Sequence, residues 1–350
     1  MDCSSAESPL VWHAPRLKET TGTALPSLPL LTLYLTERCN SRCVSCDYWR
    51  HGKRDMSLEA LERTLPDLAA LGTQVILVSG GEPLLHPQWA EMASLLRANG
   101  LRLQLLTAGL ALAKHARRVG ELFESAIVSL DGSCRQTYLA IRGLDAFEVV
   151  CEGIRAAVRE GVPVGLRVTV QRNNYRELNQ LVSLARELGA SSISFLAADV
   201  GNQHAFGRQA DEATADIALR AADLPAFADS LALLVREHAH LFSSGFIQES
   251  PAKLRRLYDY FRAVCGLGGF PAVRCNAPEF SAVLESDGSV RPCFFISGPP
   301  SSSSSTGFEQ TLNAPAMQSL RADIRAQRRT ECARCVCSKW RDSEAPGTLI

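Results

Sequence analysis

Between residues 30 and 200 the apolar positions switch repeatedly between a two-residue and a helical rhythm, and each switch marks an element. LTLYLT (31–36) alternates as a strand does. Ser57 then caps a helix in which Leu58, Leu61, Leu65 and Leu68 recur at helical spacing, and Gly72 ends it. QVILVS (74–79) is a short apolar strand closed by Gly80-Gly81. The same reading gives a helix over 87–99, a strand over 101–107, a helix over 111–119 and a strand over 126–131. A helix over 145–160 carries Phe147, Val150, Ile154 and Ala157 on one face, and a strand follows over 162–170. Tyr175, Leu178, Leu181, Ala185 and Leu188 mark another helix before the strand 191–197.

Strands alternating with helices over short connections predict a parallel sheet with right-handed crossovers. Six such steps are too few for an eight-fold barrel, so the expected architecture is an α/β fold built as a partial (β/α)6 TIM-like barrel. A doubly wound open sheet is the rival. Residues 200–222 read as an irregular, mobile stretch, and Leu224, Phe227, Leu231 and Leu234 predict a further helix. From 265 onward cysteine, glycine and proline replace the alternating rhythm, and SGPPSSSSS (297–305) reads as a solvated, flexible loop.

The length of 350 residues leaves room for one large domain and a smaller appended one. The expected division is an N-terminal extension over 1–29, a barrel core over 30–222, a helical linker over 223–264 and a small C-terminal domain over 265–345. With 37 basic and 37 acidic residues the formal charge is zero, so neither a nucleic-acid footprint nor attraction to anionic membranes is expected. The first twenty residues lack a basic region followed by an apolar one, and no apolar run reaches bilayer length. A cytoplasmic protein is expected. Twelve cysteines without an export signal then point to metal or redox chemistry rather than disulfides.

Nine of those cysteines fall in three groups: Cys39, Cys43 and Cys46; Cys265, Cys275 and Cys293; and Cys332, Cys335 and Cys337. The first group has the spacing C-x3-C-x2-C, rare by chance. Structural zinc wants four ligands, and no further cysteine or histidine follows before His51. Three thiolates on a cubane leave one iron without a protein ligand. The loop also follows the first predicted strand, at the rim where α/β barrels place their chemistry.

CNSRCVSC resembles the C-x3-C-x-Φ-C signature of the radical S-adenosylmethionine (radical SAM) superfamily, and the likeness extends over about residues 30–345. Ser45 stands where an aromatic residue is usual; Tyr48 and Trp49 offer aromatic surface nearby. The resemblance implies that Cys39, Cys43 and Cys46 bind a [4Fe–4S] cluster whose open iron chelates S-adenosyl-L-methionine. Reductive cleavage then yields methionine and a 5′-deoxyadenosyl radical. It also implies a reducing partner such as flavodoxin or ferredoxin.

Further positions match the family by order along the chain. Gly80, Gly81, Glu82 and Pro83 resemble the motif that receives the methionine amino group. Thr107 ends the third strand in TAG, where Ala108 replaces a common asparagine. Ser129 and Asp131 in SLDG resemble ribose and carboxylate contacts, Arg142 resembles a partner for the methionine carboxylate, and Asn173 resembles a ribose contact. Turn and capping chemistry is the alternative for Thr107, Ser129, Asp131, Arg142 and Asn173.

Cys275 and Cys293 stand in C-x12-G-x4-C with Gly288 turning a predicted hairpin, and Cys332 and Cys335 form C-x2-C. This resembles the twitch domain, a shortened relative of the SPASM domain, which binds a second, auxiliary [4Fe–4S] cluster. Cys265 and Cys337 are two further possible ligands, and a four-cysteine zinc site fits the same spacing. A cluster with four protein ligands suits electron transfer, and so an oxidative reaction.

Twitch- and SPASM-bearing relatives include peptide maturases, the molybdenum-cofactor cyclase and an aminocyclitol dehydrogenase. The chain ends APGTLI, without the terminal glycine pair of that cyclase. The stretch before the first strand is too short for the leader-binding domain of many peptide maturases, so a separate partner or a leaderless substrate is expected. The function expected is that of a radical SAM oxidoreductase or maturase acting on a peptide or small-molecule substrate. The alternatives are a non-catalytic iron–sulfur electron carrier and a zinc-stabilised interaction module. Asp199 and His204 follow the sixth strand, but polar loop residues of these types are more often solvated than catalytic, and neither is assigned as proton acceptor.

Overall fold

The computed structural model describes residues 24–202, 205–207, 216–299 and 306–341. His204, 203–204 and 208–215 of the irregular stretch, and the serine run 300–305 lie outside them, as do 1–23 and 342–350.

Six parallel strands follow one another in space as in sequence: β1 (Leu30–Thr36), β2 (Val75–Gly80), β3 (Arg102–Thr107), β4 (Ser125–Ser129), β5 (Val164–Val170) and β6 (Ser192–Ala197). Helices α1 (Leu58–Ala70), α2 (Trp89–Ala98) and α3 (Leu112–Leu122) connect the first four strands. The expected cap is present, because the Ser57 hydroxyl accepts the Ala60 N–H at 3.1 Å. Two helices, α4 (Arg135–Arg142) and α5 (Phe147–Arg159), lie between β4 and β5, and the first of them is absent from the sequence reading. Next come α6 (Leu178–Glu187), α7 (Leu224–Glu237) and α8 (Pro251–Val264).

Alternation along the strands divides the sheet into two unlike faces. Leu31, Leu33, Leu35, Ile76, Val78, Leu103, Leu105, Ala126, Val128, Val164, Leu166, Val168, Ile193 and Phe195 join the apolar core with the helices. The other face carries Thr32, Tyr34, Ser79, Gln104, Ser125, Ser129, Arg167, Thr169, Ser192 and Ser194, interleaved with Leu30, Val75, Leu77, Leu106, Ile127 and Leu196. A closed eight-fold barrel fills its interior with branched apolar side chains. This one is open, and its lumen mixes polar with apolar side chains.

The C-terminal segment is not detached from the barrel. After α8 the chain forms β7 (Ser281–Leu284), which pairs parallel with β1 in the register Leu30↔Ser281 to Leu33↔Leu284. The predicted hairpin then returns through β8 (Val290–Arg291), giving one eight-stranded sheet in the order β6-β5-β4-β3-β2-β1-β7-β8. The partial barrel is therefore extended at its first strand by the cysteine-rich segment. A short helix (Phe308–Leu312) packs against β8 and α1, and helix α9 (Pro315–Arg325) packs on it in turn. Among the described residues no helix is long and apolar enough to cross a membrane.

Candidate functional site

The cysteine loop leaves β1 at the C-terminal rim and is gripped on two sides by backbone. On one side the Gly81 N–H donates to the Thr36 carbonyl and the Glu82 N–H to the Arg38 carbonyl, both at 2.7 Å. A Cβ on Gly81 would stand 2.3 Å from the Arg38 oxygen, so this approach requires glycine. On the other side the Arg42 N–H donates to the Arg142 carbonyl at 2.9 Å and the Val44 N–H to that of Ile141 at 3.0 Å. Helix α4 supplies both acceptors and ends at Gly143, whose φ of +69° and 2.3 Å Cβ clearance from the Arg42 oxygen again exclude a side chain. Gly143→Ala is expected to destabilise the fold by about 1–3 kcal/mol. Hydrogen exchange at the Arg42 and Val44 amides checks this, and both should quicken.

Cys39, Cys43 and Cys46 are partly buried free thiols within this grip. Burial pushes the Cys39 thiol up to about 11 and that of Cys46 up to about 12. Cys39 Sγ accepts the Ser41 N–H at 3.4 Å, and Arg142 Nη1 donates to Cys43 Sγ at 3.3 Å. Trp49 Nε1 donates to the Cys43 carbonyl, and Tyr48 stacks edge-on against Tyr34 with centroids 5.9 Å apart. The Tyr48 hydroxyl reaches Glu285 Oε1 at 3.4 Å, and Arg291 pairs with that carboxylate at 2.8 Å. The loop is thereby tied to the C-terminal hairpin. Burial raises the Glu285 pKa, and Arg291 opposes the rise.

Arg142 joins the loop to the fourth strand. Its Nε lies 2.8 Å from Asp131 Oδ2, with side chains 10% and 5% exposed. Burial alone would lower the pKa of Arg142, but the Asp131 carboxylate and Cys43 sulfur beside it more than reverse that. Asp131 is raised by burial, against the pull of Arg142 and the Thr169 N–H, which donates to its Oδ1 at 2.6 Å. Glu82 is fully buried, and its carboxylate accepts the Thr107 hydroxyl at 2.8 and 2.9 Å and the Ala108 N–H at 2.7 Å. These bonds turn it toward β3, and burial raises its pKa.

The remaining rim residues sort themselves differently from the sequence order. Ser129 ends β4 on the lumen face. Asn173 is exposed, whereas its neighbour Asn174 is buried and donates to the carbonyls of Asp131 at 2.8 Å and Thr169 at 3.0 Å. Gln171 is fully buried, and neither atom of its side-chain amide has a partner among the described residues. Asp199 is buried and caps the turn after β6, accepting the Gly201 and Asn202 N–H groups at 2.9 and 3.1 Å.

The later cysteines form a second neighbourhood. The chain around Cys275 is zipped to the chain after Cys337: the Arg274 N–H donates to Ser338 Oγ at 3.2 Å and the Asn276 N–H to the Lys339 carbonyl at 3.0 Å. Cys332 and Cys335 share a turn closed by a 3.2 Å backbone bond, and the Cys337 N–H donates to Cys335 Sγ at 3.4 Å. Burial pushes Cys293 up to about 12 and Cys332 up to about 11, and each feels the charge of Cys275. Cys337 feels it too, while Cys335 senses both Cys337 and Cys293. Burial draws Lys339, beside Cys337, down to about 8. Cys265 stands apart, its thiol bonded to the Leu219 carbonyl at 3.3 Å and influenced by Asp223. Among the described residues no three His, Cys, Asp or Glu side chains close round a single metal ion.

Both donor sets consist of sulfur alone, with N–H groups directed at Cys39, Cys43 and Cys335, which fits thiolate ligation of iron–sulfur clusters. Residues 33–185 match the Radical SAM superfamily. Fe-coproporphyrin III synthase of Methanosarcina barkeri is 33% identical over 177 residues, covering 48% of this chain and 43% of that protein. The chain spans about half the length of the curated relatives it matches. Among solved structures, anSMEcpe with bound AdoMet superposes with a TM-score of 0.65 at 19% identity, covering 93% of each chain. Streptococcus suis SuiB bound to precursor peptide SuiA superposes with a TM-score of 0.62 at 14% identity, covering 85% of this chain and 68% of that one. These two likenesses establish the fold, a partial barrel with parallel strands.

Proposed function

We propose, for a chain that carries a radical SAM domain over residues 33–185, that its activity is reductive cleavage of S-adenosylmethionine and removal of hydrogen from a substrate in the lumen. The observation that carries this reading is the bond from Arg142, paired with Asp131, to Cys43 in the loop that also carries Cys39 and Cys46, at the mouth of that lumen. When bound, the cluster and S-adenosylmethionine supply a 5′-deoxyadenosyl radical.

In this reading Cys39, Cys43 and Cys46 hold the first [4Fe–4S] cluster. Gly80, Gly81, Glu82, Pro83, Thr107, Ser129, Asp131 and Arg142 form the adjoining rim, with Gln171 and Asn174 taking the place expected for Asn173. Arg142 keeps a positive charge beside Cys43, and Asp131 fixes where that charge stands. Glu82 locks the β2 loop to the β3 loop. Cys275, Cys293, Cys332 and Cys335, with Cys337 as a fifth thiol in reach, hold an auxiliary [4Fe–4S] cluster. The reaction is an oxidation or other modification of a peptide or small metabolite, with flavodoxin or ferredoxin as electron donor.

Anaerobic reconstitution tests this. About eight irons per chain and 5′-deoxyadenosine formed on reduction support it. Iron without cleavage favours an electron carrier, and bound zinc without visible absorption favours a zinc-stabilised module. Cys275→Ser is expected to bring the iron count down to about four, whereas Cys265→Ser leaves it unchanged. Equal iron loss in both variants would contradict the proposed ligand set.

A further inference from the structure

We propose that Arg167 anchors a carboxylate of the substrate inside the lumen, in a cavity it shares with Gln104, Ser192, Ser194 and Gln248. The proposal deepens the reading of the lumen as substrate chamber and rests on it. The cavity is small, with room for a group the size of a carboxylate rather than a whole substrate, and is also lined by Ile127, Gly165 and Leu166. Arg167 enters it from the middle of β5, in register with Ser194 on β6 and Ser129 on β4. It stands two residues before Thr169, whose N–H holds Asp131 at the rim, so it lies about 7 Å below that rim along the strand.

A guanidinium in such a position normally finds a carboxylate. Among the described residues none pairs with Arg167; its one hydrogen bond is a long contact of 3.5 Å to Ser194 Oγ. The buried carboxylate of Glu249 is otherwise committed, accepting the Phe195 N–H at 2.8 Å and lying 3.7 Å from Lys253. Burial lowers the pKa of Arg167 and the charges of Glu249 and Cys337 oppose the fall only in part, so an incoming anion in direct contact would further favour the cation.

The walls supply the rest of a polar site. Ser192 and Ser194 are buried hydroxyls, with Gln248 Nε2 donating to Ser192 Oγ at 3.2 Å. Gln104 Oε1 is buried without a partner, as is the hydroxyl of Ser125, its register partner on β4. A guanidinium without a direct ion pair, flanked by the Ser192 and Ser194 hydroxyls, offers donors to a small planar anion, and an acid proton on that group could reach Gln104 Oε1. An acidic side chain or terminus of a peptide and a free carboxylic acid share that chemistry.

The test uses the anaerobically reconstituted protein, titrated with acetate, with succinate and with neutral acetamide at fixed pH and ionic strength, binding being read by thermal shift. Both carboxylates should bind and acetamide should not. Arg167→Gln should weaken carboxylate binding about ten-fold or more, and Arg167→Lys, which keeps the charge but not the fork, should fall between. Ser194→Ala, a smaller change, should weaken it a few-fold. Equal binding by wild type and Arg167→Gln, binding of acetamide as tight as that of acetate, or no carboxylate binding by wild type would each overturn the proposal. So would a shifted auxiliary-cluster potential in Arg167→Gln with carboxylate affinity unchanged, which would assign the cation to the cluster. Substrate-free 5′-deoxyadenosine formation by wild type is measured alongside. Its absence with carboxylate binding intact would end the radical reading and leave the anion site standing.

Discussion

With Cys39→Ala, Cys43→Ala and Cys46→Ala combined, the reconstituted protein is expected to keep about four irons and to form no 5′-deoxyadenosine. The two sulfur neighbourhoods are built from different parts of the chain. Cys39–Cys46 is held by the β2 loop and helix α4, whereas Cys275 is zipped to the strand of chain after Cys337. Removing the first set therefore leaves the second with its own backbone support. Iron analysis and product chromatography on one sample read both halves of the expectation. Undiminished 5′-deoxyadenosine in the triple variant would refute the assignment of the initiating site, and loss of all iron would show that the two sites load as one.

Arg142→Leu should cost about 3–5 kcal/mol of folding stability, the usual effect of leaving one half of a buried ion pair without its partner. Asp131 is only 5% exposed on its side chain, and its pKa is already raised by burial with Arg142 present. Adding Asp131→Asn to Arg142→Leu should recover a large part of the loss, because the orphaned charge disappears. Urea unfolding of the four proteins in this cycle measures the coupling. An Arg142→Leu midpoint equal to that of wild type would mean that water reaches the pair.

The barrel core was legible because its periodicity is strong and local. Each strand carries two or three apolar positions on its helix side, and Ser57 and Gly72 punctuate α1 where the pattern places them. Helix α4 is not legible in the sequence, for a physical reason. Its eight residues include only Tyr138 and Ile141 as buried apolar positions, too few to reveal a period. The pairing of β7 with β1 was also hidden, since the four residues SAVL do not encode a partner some 250 positions earlier.

Within the site, the spacing of Cys39, Cys43 and Cys46 needed no structure. The distinction between Asn173 and Asn174 did, because the turn after β5 decides which amide faces Asp131. Glu82 is a similar case. Its motif is legible, but only the packing of β2 beside β3 shows that its carboxylate is taken up by Thr107 and Ala108. Arg167 carries no local signal at all, since one basic residue in VGLRVTV looks like a solvent-facing strand position until the sheet curls round it.

The register of β7 against β1 has a consequence for biosynthesis. When the first two hundred residues have left the ribosome, β2 covers one side of β1, but the amides and carbonyls along Leu30–Leu33 on its other side await residues 281–284. An unpaired apolar edge of this kind is a template for pairing with other chains. The nascent protein therefore passes through an interval in which it is sticky, and a fragment ending after β6 should precipitate where the full chain does not. Closing that edge joins residues 281–284 to a strand some 250 positions earlier, a long-range pairing whose loop-closure cost delays it behind the local β–α steps.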